Sequence, residues 1–272
     1  MRSIILVGVL TLASTGLYAD TIWGEAIVGA GRHFHLLAIN TITGNVFKNF
    51  LLPGKSYGVV QVGNVLYATT ADNNVVEKID ATTGADLGAA FSVAGASGLS
   101  AMAWDGADFW IADDSGTNRA FHYTPTGTLL KTITLADCTM DCNGLEFFQG
   151  KLISNESLGL APGIYDVYDT DGNLLVHSLI KTGFLDSLRL IGAGIAFNGT
   201  DFYVSSPPTR TIGVYDTSGN FIRRFTVHGP AAFGIEDLSF NHNYVPNTPE
   251  PATGFLLLGG FAMLGLLRRK RA

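Results

Sequence analysis

Gly98-Leu99-Ser100-Ala101-Met102-Ala103-Trp104-Asp105-Gly106 runs on to Phe109-Trp110-Ile111-Ala112, then to Phe121-His122-Tyr123-Thr124-Pro125-Thr126-Gly127-Thr128 and Leu129-Leu130-Lys131-Thr132-Ile133. These are four short apolar runs bounded by Asp, Gly, Thr and Pro. Runs of this length between turn formers predict strands, not helices. The last two form a hairpin in which Gly127 supplies the positive φ of the turn.

The pattern recurs along the chain. Turn glycines stand in Ile42-Thr43-Gly44-Asn45, Thr82-Thr83-Gly84-Ala85, Pro125-Thr126-Gly127-Thr128, Thr170-Asp171-Gly172-Asn173 and Thr217-Ser218-Gly219-Asn220, spaced by 40, 43, 45 and 47 residues. Upstream of these hairpins lies a second pair of strands: Tyr57-Gly58-Val59-Val60 before Val65-Leu66-Tyr67-Ala68, Gly144-Leu145-Glu146-Phe147-Phe148 before Leu152-Ile153-Ser154, and Gly194-Ile195-Ala196-Phe197 before Phe202-Tyr203-Val204-Ser205. Four strands per roughly 45 residues is the form of a β-propeller blade. Thr21-Ile22-Trp23 reads as a second strand lacking its first, and Gly234-Ile235-Glu236-Asp237-Leu238-Ser239-Phe240 as a first strand with nothing after it. Pairing them closes a ring and covers its edges. The expectation is an all-β single β-propeller of five four-stranded blades, or six if one unit is degenerate, with a short C-terminal apolar helix. A β-sandwich predicts no such complementary ends.

Composition agrees. Of 272 residues 47% are apolar and 15% charged, and the 33 glycines suit many tight turns. Five of the 17 basic residues lie in the terminal segments, so residues 20–251 carry 12 basic against 23 acidic residues. A body this acidic repels phosphate backbones, which argues against nucleic-acid binding.

Met1-Arg2-Ser3, an apolar Ile4 to Gly16 and Leu17-Tyr18-Ala19 read as a secretion signal spanning residues 1–19. The body is expected at 20–244 and a tail at 245–272. In the tail, Pro246, Pro249 and Pro251 break regular structure before an apolar run from Ala252 to Leu267 and a basic end, Arg268-Arg269-Lys270-Arg271. Sixteen residues of helix span about 24 Å, short of the roughly 30 Å hydrocarbon core. The basic end stays cytoplasmic, leaving the body outside.

Pro249-Glu250-Pro251, the apolar run and the Arg/Lys end closely resemble the PEP-CTERM sorting tail of Gram-negative bacteria. That resemblance implies an exosortase, a membrane transpeptidase, as partner. It also implies export across the inner membrane, transient anchoring by the C-terminus and an association with exopolysaccharide. The periplasm, the outer surface and the extracellular matrix are the destinations it allows. The blades resemble YncE-like and NHL-like propellers, which host lactonases, lyases and pure binding modules alike, so that likeness speaks to fold alone.

Candidate chemistry is sparse. Cys138 and Cys142, the only cysteines, are expected to form a local disulfide in an oxidising setting. Glu146 and Glu236 each stand two residues after a strand-opening Gly and so could approach the channel as acid–base or cation-binding carboxylates, or cap backbone there. Asp169-Thr170-Asp171-Gly172-Asn173 opens like a calcium loop but has Ile180 where the twelfth-position Glu belongs. His33 and His35 share a strand face without a third ligand. The aromatics Trp23, Tyr67, Trp110 and Tyr203 recur on second strands, as inter-blade packing requires. No cofactor is expected. The leading expectation is a non-enzymatic, surface-directed propeller binding polysaccharide or another exported protein. The alternative is a metal-dependent lactonase, hydrolase or lyase with its site in the channel.

Overall fold

A computed structural model describes residues 20–29, 31–113, 116–136, 138, 144–156, 163–182, 192–230 and 233–242. The signal and tail, including the expected apolar helix, lie outside the described residues, as does Cys142. Among the described residues no helix is long and apolar enough to cross a membrane.

Among the described residues, twenty strands form five four-stranded antiparallel sheets. The second sheet holds β4 (Val59–Val62), β5 (Val65–Thr70), β6 (Val75–Asp80) and β7 (Asp86–Ser92). The third holds β8 (Leu99–Trp104), β9 (Phe109–Asp113), β10 (Arg119–Tyr123) and β11 (Leu129–Thr134). The fourth holds β12 (Leu145–Phe148), β13 (Lys151–Glu156), β14 (Ile164–Tyr168) and β15 (Leu174–Lys181). The fifth holds β16 (Ile195–Phe197), β17 (Phe202–Ser206), β18 (Thr211–Tyr215) and β19 (Phe221–Thr226). The first joins the two ends of the body. There β20 (Phe233–Ser239) is the inner strand, followed by β1 (Thr21–Val28), β2 (His33–Asn40) and β3 (Val46–Leu51). Trp23 faces Ser239 and Gly24 faces Leu238, so the N- and C-terminal strands close the ring as expected.

Five separate apolar cores fill the five interfaces between blades. Ile22, Leu37 and Ile39 of the closing blade meet Tyr203, Ile212 and Val214 of the fifth. Trp23 and Leu36 meet Val59 and Leu66 of the second. The remaining interfaces repeat the arrangement. The repeated aromatics sit in these seams: Tyr67 lies 4.6 Å from Phe109 across one and Tyr203 4.9 Å from Phe240 across another.

The turn glycines do more than bend a hairpin. Gly44, Gly84, Gly127, Gly172 and Gly219 all have positive φ, from 71° to 88°. Each also abuts the outer strand of the preceding blade: Gly44 against Thr226, Gly84 against Phe50, Gly127 against Phe91, Gly172 against Thr134 and Gly219 against Leu179. Only a residue without Cβ meets both demands. The strand-opening glycines serve a related purpose at the axis. A Cβ on Gly58 would lie 2.1 Å from the Ser100 carbonyl, and one on Gly144 2.2 Å from that of Ala193.

Candidate binding cleft and the central carboxylates

The inner strand of a blade has one edge facing the axis, where its backbone N–H groups need acceptors. Side chains supply them. The Val59 amide donates to Asp237 Oδ2 at 2.9 Å, and Met102 N reaches the same oxygen at 3.4 Å. Gln61 N donates to Ser239 Oγ at 2.9 Å and Gly63 N to Asn241 Oδ1 at 3.0 Å. Alternate residues of the closing strand thus bind alternate amides of β4, a ladder made by side chains.

Glu146 does the same between the fourth and fifth blades. Its Oε1 accepts from Phe147 N at 2.7 Å and its Oε2 from Phe197 N at 2.8 Å. Burial pushes its carboxyl up to about 8, against the pull of those two N–H groups. Glu236, the second sequence candidate, goes elsewhere. The ladder between β1 and β20 pairs Glu25 with Asp237 and Ala26 with Ile235, leaving Glu236 unopposed in a bulge. Bulges re-aim side chains next to sites. The electrostatic neighbours of Glu236 are Arg32 and Glu25; Glu25 couples also to Asp237, and Asp237 to Glu146. Glu146 and Glu236 are thus not direct electrostatic neighbours but the two ends of a chain of acids that runs through Glu25 and Asp237.

Two carboxylates that sequence reasoning missed complete the centre. Glu25 and Asp237 are fully buried, and Glu25 Oε1, Glu25 Oε2 and Asp237 Oδ1 have no hydrogen-bond partner among the described residues. Burial first, and then the charges of Glu236 and Asp237, raise the Glu25 carboxyl well above the ordinary range. Burial likewise raises Asp237, opposed by its backbone amides. Asp237 adjoins Glu236 in sequence, but nothing short of the bulge shows that both turn to account.

A cleft of about 410 Å³ opens beside this centre, between the β1–β2 turn and the connection from β3 to β4. Its geometry comes from an overhang. The other described third strands pair with their outer strand from their first residue, as Val75 does with Ser92 and Thr211 with Thr226. In the closing blade the pairing begins only at His35 with Leu51, so His33 and the turn before it project past the outer strand. Arg32, His33 and Lys55 are exposed at this cleft, and Phe34, Leu52 and Tyr57 form its apolar wall. The Phe34 and Tyr57 rings meet edge to face at 5.5 Å. Burial raises the Tyr57 hydroxyl's pKa, with Arg32 and Lys55 opposing.

The remaining candidates fall apart spatially. His35 Nδ1 lies 2.6 Å from Asn49 Oδ1 while His33 lines the cleft, so the pair divides between two surroundings. Asp169 Oδ1 accepts the amides of Asp171 and Asn173, the hydrogen bonding of a turn. Among the described residues, Asp105, Asp108 and His122 form a group of metal-ligating type that the sequence did not suggest. Two of its three members already engage each other, His122 Nε2 lying 3.0 Å from Asp105 Oδ2. Asp105 Oδ1 accepts Ala107 and Asp108 N–H, Oδ2 accepts the Trp110 indole, and the His122 ring stacks on Trp110 at 4.1 Å. Cys138 is buried in the seam between the third and fourth blades.

The molecule is thus a five-bladed β-propeller with a carboxylate-filled centre and a basic cleft at one seam. Residues 247–271 match the PEP-CTERM protein-sorting motif. That motif implies an exported protein, sorted by an exosortase and transiently anchored through its C-terminus. No curated protein matches the chain. The solved structure of a nidogen/laminin complex resembles it at 13% identity with a TM-score of 0.54, covering 82% of this chain and 98% of that one. Virginiamycin B lyase from Staphylococcus aureus resembles it at 13% identity with a TM-score of 0.45, covering 78% of this chain and 76% of that one. At such identities the likeness is one of fold alone.

Proposed function

We propose that this is an exported binding propeller, directed by its tail to the cell surface or matrix, whose ligand is polysaccharide or another exported protein. The observation that carries the reading is a division of labour. The ring's central acids Glu146 and Asp237 accept backbone amides between blades, while the open cleft at Arg32, Lys55 and Tyr57 is left to meet a ligand. The full chain, purified in detergent, is expected to be retained on immobilised polysaccharide or envelope extract of the producing cell. Passage without retention on either sinks the reading.

A second reading, a metal-dependent hydrolase or lyase, draws on the unpartnered oxygens of Glu25 and Asp237. Buried carboxyl oxygens without partners are what a divalent cation would satisfy. A thermal transition unmoved by Ca²⁺, Mg²⁺, Mn²⁺ or Zn²⁺ removes it. We further propose that Cys138 and Cys142 form a disulfide closing the short connection before β12. Equal thiol labelling with and without reductant contradicts that pairing.

A further inference from the structure

We infer that the cleft between the β1–β2 turn and the β3–β4 connection is a site for a carboxylated saccharide, a uronic-acid-type unit held by Arg32 and Lys55 against the Tyr57 wall. The inference rests on the binding reading above and names the ligand chemistry of that site.

The first ground is charge distribution. From Ala26 to Ala71 the chain has no Asp or Glu, 46 consecutive residues, although residues 20–251 carry 23 acidic residues over 232 positions. That stretch builds the outer closing blade, the cleft and the start of the second blade, and contains Arg32, Lys48, Lys55, His33 and His35. Among the described residues, neither the Arg32 guanidinium nor the His33 imidazole makes a hydrogen bond or an ion pair. The Lys55 ammonium meets Asp72 at 3.5 Å, with both side chains more than half exposed (57% and 56%), a contact water and ligand can replace. The acids coupled to the cleft are Glu236, through Arg32, and Glu25, through Tyr57; burial holds both toward their neutral forms. With Asp72, which also accepts the Lys55 amide at 3.3 Å, the exposed rim holds two cations, Arg32 and Lys55, against one carboxylate, on a molecule that is otherwise anionic.

The second ground is backbone geometry. Four residues standing immediately before a third strand are left-handed: Arg32 (φ 50°), Asn74 (55°), Asn118 (54°) and Arg210 (53°). Asn is the ordinary occupant of such a position because its short polar side chain tolerates it. Arg32 stands at the tip of the one overhanging hairpin, which carries it past the outer strand to the cleft, whereas Arg210 holds the same position in a blade without an overhang.

The third ground is shape. A volume of about 410 Å³ lies in the range of small-ligand sites, near 300–1,000 Å³. The cleft lies at the end of the β2 overhang, where His33 pairs with Val28 on one side and Leu52 N donates to Phe34 O on the other. A compact ring carrying one carboxylate finds a planar fork and a point charge for its anion and Tyr57 and Phe34 for its apolar face.

The test is fluorescence anisotropy of the full chain with labelled trigalacturonate, its methyl ester and pentaglutamate. Trigalacturonate is expected to bind, more weakly as NaCl rises, and its affinity to fall about tenfold or more in R32N/K55Q. R32N places there the residue that the second and third blades use, so the thermal transition should stay where it is and a fold defect is excluded. Equal binding of the methyl ester, an unaffected double variant, or no binding of trigalacturonate overturns the inference. Pentaglutamate binding as tightly as the uronate overturns the saccharide assignment. Retention on envelope extract that survives R32N/K55Q ends this inference and leaves the binding reading standing; no retention of the native chain ends the binding reading and this inference with it.

Discussion

Gly219 and Gly63 both hold positive φ, 82° and 60°, yet their surroundings differ. A Cβ on Gly219 would lie 1.7 Å from the Leu179 carbonyl, and one on Gly63 would meet nothing within 4 Å. Ala at Gly63 should therefore cost only the left-handed backbone penalty, about 1–2 kcal/mol, whereas G219A must also push two blades apart and should cost roughly 3 kcal/mol or more. Urea midpoints of the two variants read the difference directly, and equal losses would refute the inter-blade role. The glycine repeat was legible in sequence as a turn signal, but its second duty toward the neighbouring blade was not, since spacing carries no information about what stands opposite. The acids tell a similar story. Glu146 and Glu236 could be picked out by position after an opening glycine, while Glu25 and the bulge that separates Glu236 from Glu146 could not. A pH dependence follows from them. The Glu146 carboxyl sits at about 8 instead of 4.5 because burial disfavours its charge. An acid raised in the fold stabilises fully below its unfolded value, near 4.5, and that contribution is lost as pH climbs through about 8. Glu25, Glu236 and Asp237 are shifted the same way, so native stability should fall by about a few kcal/mol from pH 5 to pH 8.5. E146Q should show a shallower fall across that window; an unchanged slope by chemical denaturation would clear Glu146 of the effect.

Strands and hairpins were the level at which the sequence spoke most plainly. The apolar runs before and after each turn glycine became the third and fourth strands of a blade, and the two orphan strands at the ends became neighbours in one sheet. Register was less legible. The overhang of β2 past β3 arises because the β1–β2 hairpin is eight residues long on each side, against five or six in the corresponding strands of the other blades, and single apolar runs do not announce where their partners stop. What holds the closing strand to its neighbours is equally hidden, because side chains of Asp237, Ser239 and Asn241 replace a backbone ladder. Removing one rung should show its weight. D237A leaves the buried Val59 amide without its acceptor and should cost about 2–4 kcal/mol, a drop of roughly 5–15 °C in Tm for a domain this size. D237N keeps an acceptor oxygen at the same place and should recover most of the loss. Equal damage from both would mean that charge, and not hydrogen bonding, holds the seam.

At the scale of the whole molecule, five seams with five apolar cores make the ring a closed unit, and the chain leaves it from the strand that closes it. β20 ends at Ser239, and the sorting motif begins only eight residues later, at Asn247. Any force or processing acting on the tail is therefore applied beside the closing blade, where β20 is held by β1 on one side and by the side-chain ladder to β4 on the other. The body must already be closed for such an attachment to be tolerated, because an unpaired β20 would expose β1 as an edge. The sorting motif was legible because its parts are compositional: a Pro-Glu-Pro break, an apolar run and a basic end. Its role is separable from the fold. Replacing Pro249, Glu250 and Pro251 by Ala removes the break but touches no residue of the five blades, so the purified variant should unfold at the same temperature as the native chain. In the cell the variant should remain in the inner-membrane fraction at unprocessed mass, its basic end still cytoplasmic, while the native chain appears beyond that membrane at lower mass. Fractionation followed by intact-mass measurement distinguishes the outcomes. Identical mass and location for both chains would mean that the tail acts as an ordinary anchor and that the Pro-Glu-Pro is not read by a processing enzyme.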